Sequence, residues 1–141
     1  MKLRRYYMRG VILPAIISIS LTGILSIFDN YNYKSEWLTS DAVLFMSLLV
    51  AIFHSCIICM LSLTIILNNK ISKPGGIKTF LSWFLLPGAW ILIVVYKTSI
   101  HRIYYEPETT EQLFYLITLF LPFVTGLLCT YIVFIKKLNH P

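Results

Sequence analysis

The residues with the most chemical capacity stand together in one apolar stretch, His54-Ser55-Cys56-Ile57-Ile58-Cys59-Met60. His54, Cys56, Cys59 and Met60 are soft or borderline metal ligands. Cys56 and Cys59 are three apart, which on a helix brings them to adjacent turns. The third cysteine, Cys129, lies 18 residues beyond Glu111, and Cys56 lies 15 beyond Asp41. Counted from those acidic ends, all three thiols fall at similar depth. Tetrahedral zinc needs four ligands and an oriented second shell, and one helix cannot wrap a metal alone. No metal or cofactor is therefore expected, and the cysteines read as small packing residues.

His54 is the one ionisable group deep in an apolar run. Such a group marks a functional site by default when the run lies in a membrane. A neutral imidazole is nonetheless far cheaper to bury than a charge, and it can bond a free backbone carbonyl. By depth, Pro87 lies level with His54. The carbonyl that Pro87 frees, that of Trp83, lies one turn further in. His101 is expected at the outer surface, too far from His54 to share a haem with it.

The elements that must position these residues follow from hydropathy. Hydrophobic residues make up 57% of the 141-residue chain and charged residues 13%, whereas soluble domains hold ~45–50% and ~25%. The excess lies in four uncharged runs: Arg9 to Asp29, Asp41 to Lys70, Lys78 to Lys97 (apolar on to Ile100), and Glu111 to Lys136. About 20 apolar residues cross the hydrocarbon core as a helix. No run alternates with period two, and backbone groups in lipid must be paired within the segment. The chain is predicted to be an all-α membrane protein. A single four-helix domain over 1–141 is expected, with α1 over about 10–28, α2 over 42–67, α3 over 79–100 and α4 over 113–135, forming an antiparallel bundle. The first run exceeds the ~7–15 residues of a signal-peptide core and lacks an A-x-A-like cleavage site, so α1 is expected to be retained.

Charge sets the orientation. All six acidic residues fall in two segments: Asp29, Glu36 and Asp41, and Glu106, Glu108 and Glu111. Nine of the twelve Lys and Arg fall in the other three segments: Lys2, Arg4, Arg5 and Arg9; Lys70, Lys73 and Lys78; Lys136 and Lys137. Only Lys34, Lys97 and Arg102 remain on the acidic side. Short loops rich in Lys and Arg stay cytoplasmic, which places both termini and the 68–78 segment inside. The pattern suits a bacterial inner (plasma) membrane. The net charge of +6 then reflects topology and attraction to anionic headgroups rather than nucleic-acid binding. Tyr6 and Tyr7 are expected at the inner interface, and Tyr31, Tyr33, Trp37, Tyr104, Tyr105 and Tyr115 at the outer one. Lys97 is expected to snorkel outward.

Local signals refine the helices. Thr39 or Ser40 can cap α2, with Asp41 at the positive end of its dipole. Asn68 and Asn69 can close α2 before a Lys73-Pro74-Gly75-Gly76 turn, and Thr109 and Gln112 have capping-box spacing. Pro14, Pro87 (followed by Gly88) and Pro122 each remove a backbone donor, which membrane helices tolerate. Small residues form stripes: Ala15, Ser18, Thr22 and Ser26 on α1; Ser47, Ala51, Ser55 and Cys59 on α2; Thr118, Pro122, Gly126 and Cys129 or Thr130 on α4. Such faces let membrane helices approach closely.

Four helices, both ends inside, and Cys56-x-x-Cys59 in the second helix resemble the quinone-linked disulfide-forming enzymes of the DsbB type. The resemblance covers topology and this one spacing. In that family the pair sits at the periplasmic end of its helix, with a second cysteine pair in the second outer loop. Here Cys56 and Cys59 lie roughly 20 Å or more from the outer start of α2, at ~1.5 Å per residue. The segment after α3 holds no cysteine. Thiol exchange needs access and thiolate character, which an apolar site opposes.

No Asp or Glu lies inside a predicted span, which argues against proton-coupled cation transport. Walker, G-x-S-x-G, H-E-x-x-H and dinucleotide signatures are absent. The expected function is non-enzymatic: binding a protein partner within the bilayer, as an accessory subunit or an immunity-type protein against a membrane-active toxin. One alternative is a small channel or carrier lined by α2–α4, using His54, Pro87, Gly88 and Pro122. Another is an intramembrane thiol or metal protein using Cys56, Cys59 and Cys129. The expected partners are the lipid bilayer and a membrane protein, not nucleic acid, and the chain is compatible with homo-oligomer formation.

Overall fold

Four helices in the computed structural model are long and apolar enough to cross a membrane: Leu3–Phe28, Ser40–Ile66, Ile77–Ile100 and Phe114–Lys137. The structure describes residues 3–30, 39–67, 77–105 and 110–139, and no strand occurs among them. The chain is a multi-pass, all-helical membrane protein.

α1 begins at Leu3 instead of near residue 10, and runs through Leu3–Tyr7, a π-helical turn Met8–Ile12, and Leu13–Asn30. The early start is explained by Arg4, Arg5 and Arg9, good helix formers whose long stems keep the charge in water while the backbone stays paired. The π turn is the backbone's answer to Pro14. Without an N–H on Pro14, the α ladder cannot reach the Gly10 carbonyl. The helix widens by one residue there, and the Leu13 N–H donates to the Met8 carbonyl five residues back.

α2 comprises Ser40–Leu61, a turn at Ser62 and Leu63, and a last helical turn Thr64–Leu67. Thr39 caps it, its side chain accepting from the Ala42 N–H at 3.3 Å, with Asp41 in the first turn. The break near its end involves no proline. It tightens by three-residue bonds, Ile65 N–H to the Ser62 carbonyl at 3.0 Å and Ile66 N–H to the Leu63 carbonyl at 2.9 Å. α3 spans Ile77–Tyr105 with Pro87 inside, and α4 spans Thr110–Asn139 with Pro122 inside. Both outrun the apolar stretches, because polar residues at the ends can stay helical in the interface. The expectations for Tyr31, Tyr33, Trp37, Asn68, Asn69, the 73–76 turn and Thr109 lie outside the described residues.

Packing is uneven. α1 lies against α2 and α4 along much of its length, whereas α3 touches α2 and α4 sparingly. The small-residue stripe of α1 makes this contact: Ala15, Ser18, Thr22 and Ser26 are all buried. The Ser18 hydroxyl donates to the Leu119 carbonyl of α4 at 2.7 Å, and the Ser26 and Ser47 hydroxyls bond each other at 2.6 Å. Between α1 and α4 the approach is closer still. A β-carbon on Gly10 would run into Thr130 Oγ1, and one on Gly126 would overlap Pro14 Cγ and lie 3.1 Å from the Gly10 carbonyl oxygen. On α4 it is Thr130, bonded to the Gly126 carbonyl at 2.7 Å, and not Cys129, that turns inward. The rest of that buried face is large: Leu119, Phe120, Phe123, Leu127 and Phe134.

Two apolar clusters stack along the bundle, one around Ala15, Ala51, Ile58 and Phe123, the other around Tyr7, Val11, Ile65, Trp83 and Phe134. The second shows which way Tyr6 and Tyr7 turn at their end of α1, toward the neighbouring helices. Tyr7 is only 8% exposed, and its hydroxyl donates to the Cys59 carbonyl at 2.8 Å. Tyr6 stands edge-on to Phe134 at 5.3 Å and to Trp83 at 6.4 Å. A phenol that finds a carbonyl has no need of water.

Candidate functional site

α2 aims its central residues at three different neighbours. His54 is half-buried, with ring centroids of Phe53, Trp90 of α3 and Phe120 of α4 at 5.6, 5.8 and 5.9 Å. Its Nδ1 is enclosed without a hydrogen-bond partner, and so is the Nε1 of Trp90. The free carbonyl that His54 could have bonded is not supplied to this nitrogen. Trp83 packs nearer the basic end, beside Tyr6, Tyr131 and Phe134, while His54 stays level with Trp90.

The cysteines share depth but not direction. Cys56 is exposed, and Cys59 is half-buried beneath the Tyr7 hydroxyl that its carbonyl accepts. Cys129 is exposed on the far side, lining a groove between α1 and α4. Similar distance from the helix ends says nothing about angle around the bundle, and here the angle separates them. Among the described residues, no three His, Cys, Asp or Glu side chains are placed to hold a metal ion.

The prolines also part company. Pro87 is buried on α3, and Gly88 beside it faces open space, with nothing within 4 Å of where a β-carbon would stand. Pro14 and Pro122 instead line the α1–α4 groove, about 440 Å³ in volume, together with Arg9, Leu13, Ile17 and Leu121. They therefore do not frame one cavity with Pro87.

Six buried polar atoms among the described residues lack a partner: the Thr22, Ser55, Ser62 and Thr79 hydroxyls, His54 Nδ1 and Trp90 Nε1. Five of the six belong to α2, its terminal turn or α3. A hydroxyl can turn to a carbonyl of its own helix at little cost. The ring nitrogens cannot reach their own ladder, and each such group left unpaired costs about 1–3 kcal/mol. His54 and Trp90 thus form a polar pair in an apolar wall. Trp90 only donates, and His54 Nδ1 accepts or donates by tautomer.

Sequence reasoning singled out His54 but missed Trp90 and Phe120. A tryptophan in mid-span was the available signal, since its N–H needs a partner. Gly10 and Arg9 were missed too, because the contact that defines them lies between helices distant in sequence. No protein-family model matches this chain, and no curated protein or solved structure matches it either.

Proposed function

We propose that this chain is a non-enzymatic protein of a bacterial inner membrane that works by binding the transmembrane helix of a partner protein. It would act as an accessory subunit or as an immunity-type protein against a membrane-active toxin. Its termini face the cytoplasm, a reading supported by the confinement of acidic residues to 29–41 and 106–111. An antiparallel bundle is supported by paired contacts that run in opposite chain directions: Tyr7 with Cys59 and Ser26 with Ser47, and Gly10 with Thr130 and Ser18 with Leu119.

The observation that carries the binding role is Gly88. Gly10, Gly23 and Gly126 are each covered by a side chain of a neighbouring helix, and Gly88 alone of these four meets nothing. It sits on the least-packed helix, flanked by the exposed Leu85, Ala89 and Leu92. A bare glycine on a membrane-facing surface lets a second backbone come close. The test is a photoreactive residue at Leu92 in cells. The expected product is a discrete adduct with one membrane protein, abolished by Gly88→Leu and retained in Leu121→Trp on the opposite groove. No adduct, or one indifferent to Gly88→Leu, contradicts the proposal.

A second reading, a small channel or carrier, draws support from the unpaired polar atoms of α2 and α3. Flux through liposomes that falls on His54→Leu and on Pro87→Ala would favour it over the binding role.

A further inference from the structure

We propose that the groove between α1 and α4 is a binding site for one anionic phospholipid, with an acyl chain along its floor and the phosphate at Arg9. The groove opens outward. Leu13, Ile17, Leu121 and the rings of Pro14 and Pro122 make its walls apolar, the surface an acyl chain covers without loss. Its depth arises from sequence: Gly10 and Gly126 draw the two backbones together, and the shallow space beside that contact is left for something other than this chain.

Position along the membrane normal identifies the headgroup end. Arg9 precedes Asp29 by 20 residues, about 30 Å at ~1.5 Å rise per residue, which is the thickness of the hydrocarbon core. Arg9 therefore stands at phosphate depth, with the groove in the acyl layer beneath it. Arg5 is exposed one turn further out on α1, and Lys136 and Lys137, both exposed, follow Cys129 and Thr130 by seven residues each on α4. Seven residues return to the same helix face. All acidic residues of the chain lie in 29–41 and 106–111, at the other ends of these helices. No Asp or Glu lies within 15 residues of Arg5, Arg9, Lys136 or Lys137 in the sequence, and phosphate is the anion present at that depth. A guanidinium offers phosphate a two-pronged bond, and basic pockets between helices hold anionic headgroups in this way. The site is independent of the α3 face.

Native mass spectrometry of the full chain in mild detergent tests this, with phosphatidylglycerol and phosphatidylcholine of identical acyl chains as probes. One phosphatidylglycerol retained in preference to phosphatidylcholine is expected. Arg9→Gln should weaken retention about fivefold, the worth of one basic residue near the surface. Leu121→Trp, which fills the groove without changing charge, should weaken it as well, while Lys78→Gln should not. Equal retention of the two lipids by the unmodified chain would overturn the proposal. So would displacement of the lipid by inorganic phosphate, or a homodimer that forms as lipid is lost. Folded Arg9→Gln and Leu121→Trp proteins that keep phosphatidylglycerol unchanged would overturn it too.

Discussion

The seam between α1 and α4 and the seam between α2 and α3 are built on opposite principles. At the first, backbones nearly touch through Gly10 and Gly126, the Ser18 hydroxyl crosses to the Leu119 carbonyl at 2.7 Å, and Thr130 turns its bond back onto the Gly126 carbonyl of its own helix. At the second, among the described residues, Thr64 Oγ1 crosses to the Ser82 carbonyl at 2.7 Å, while the rings of His54 and Trp90 lie 5.8 Å apart with Nδ1 and Nε1 unpaired. Lipid tails are as apolar as the helices, so tight packing and hydrogen bonds, not hydrophobicity, hold membrane helices together. By that measure α1, α2 and α4 form the frame, and α3 is the element with interactions still to make.

The comparison breaks first at Gly126. Gly126→Leu drives a side chain into Pro14 and the Gly10 carbonyl, and should destabilise the bundle by about 3 kcal/mol or more. Gly88→Leu, in open space, should cost nothing and gain a few tenths to ~1 kcal/mol from helix propensity. Reversible unfolding in mixed micelles reads both. Equal losses would erase the distinction between the two seams.

Single hydrogen bonds sharpen it. Ser18→Ala and Tyr7→Phe each remove a donor to an interhelical carbonyl, and each should cost about 0.6 kcal/mol, at most ~1.7. His54→Leu removes an enclosed nitrogen that has no partner, and should be neutral or slightly stabilising in the same assay. A loss above that of Ser18→Ala would mean that His54 is bonded to something in the membrane. The smallest effect belongs to the thiols. Joint replacement of Cys56, Cys59 and Cys129 by Ala should shift stability by under ~1 kcal/mol, and leave the Leu92 adduct intact.

The four spans were legible because length and hydropathy together decide them. Charge-free runs of that size have few other fates. Thr39 was legible as a cap, and Ala15, Ser18, Thr22 and Ser26 as a packing face, since both follow from local spacing. What hydropathy could not show is what charged side chains do at an interface. Arg9 ended the apolar run but not the helix, which continues through Arg5 and Arg4. Nor could it show where a helix departs from α geometry: before Pro14 by widening into a π turn, and after Ser62 by tightening with no proline present. Of the candidate site, His54 was legible as an oddity. Its neighbours Trp90 and Phe120, and the divergence of Cys56 from Cys129, depend on rotation of one helix against another. Depth counting along a sequence carries no information about that angle.

α3 is held less firmly than the frame of α1, α2 and α4. Spin-label distances in lipid nanodiscs measure this directly, in a background with the three cysteines replaced by alanine. One label pair at the exposed Ile16 and Val124 spans α1 and α4, and a second at the exposed Phe53 and Ile93 spans α2 and α3. A narrow distribution for the first pair and a distinctly broader one for the second is the predicted result. Two equally narrow distributions would contradict it.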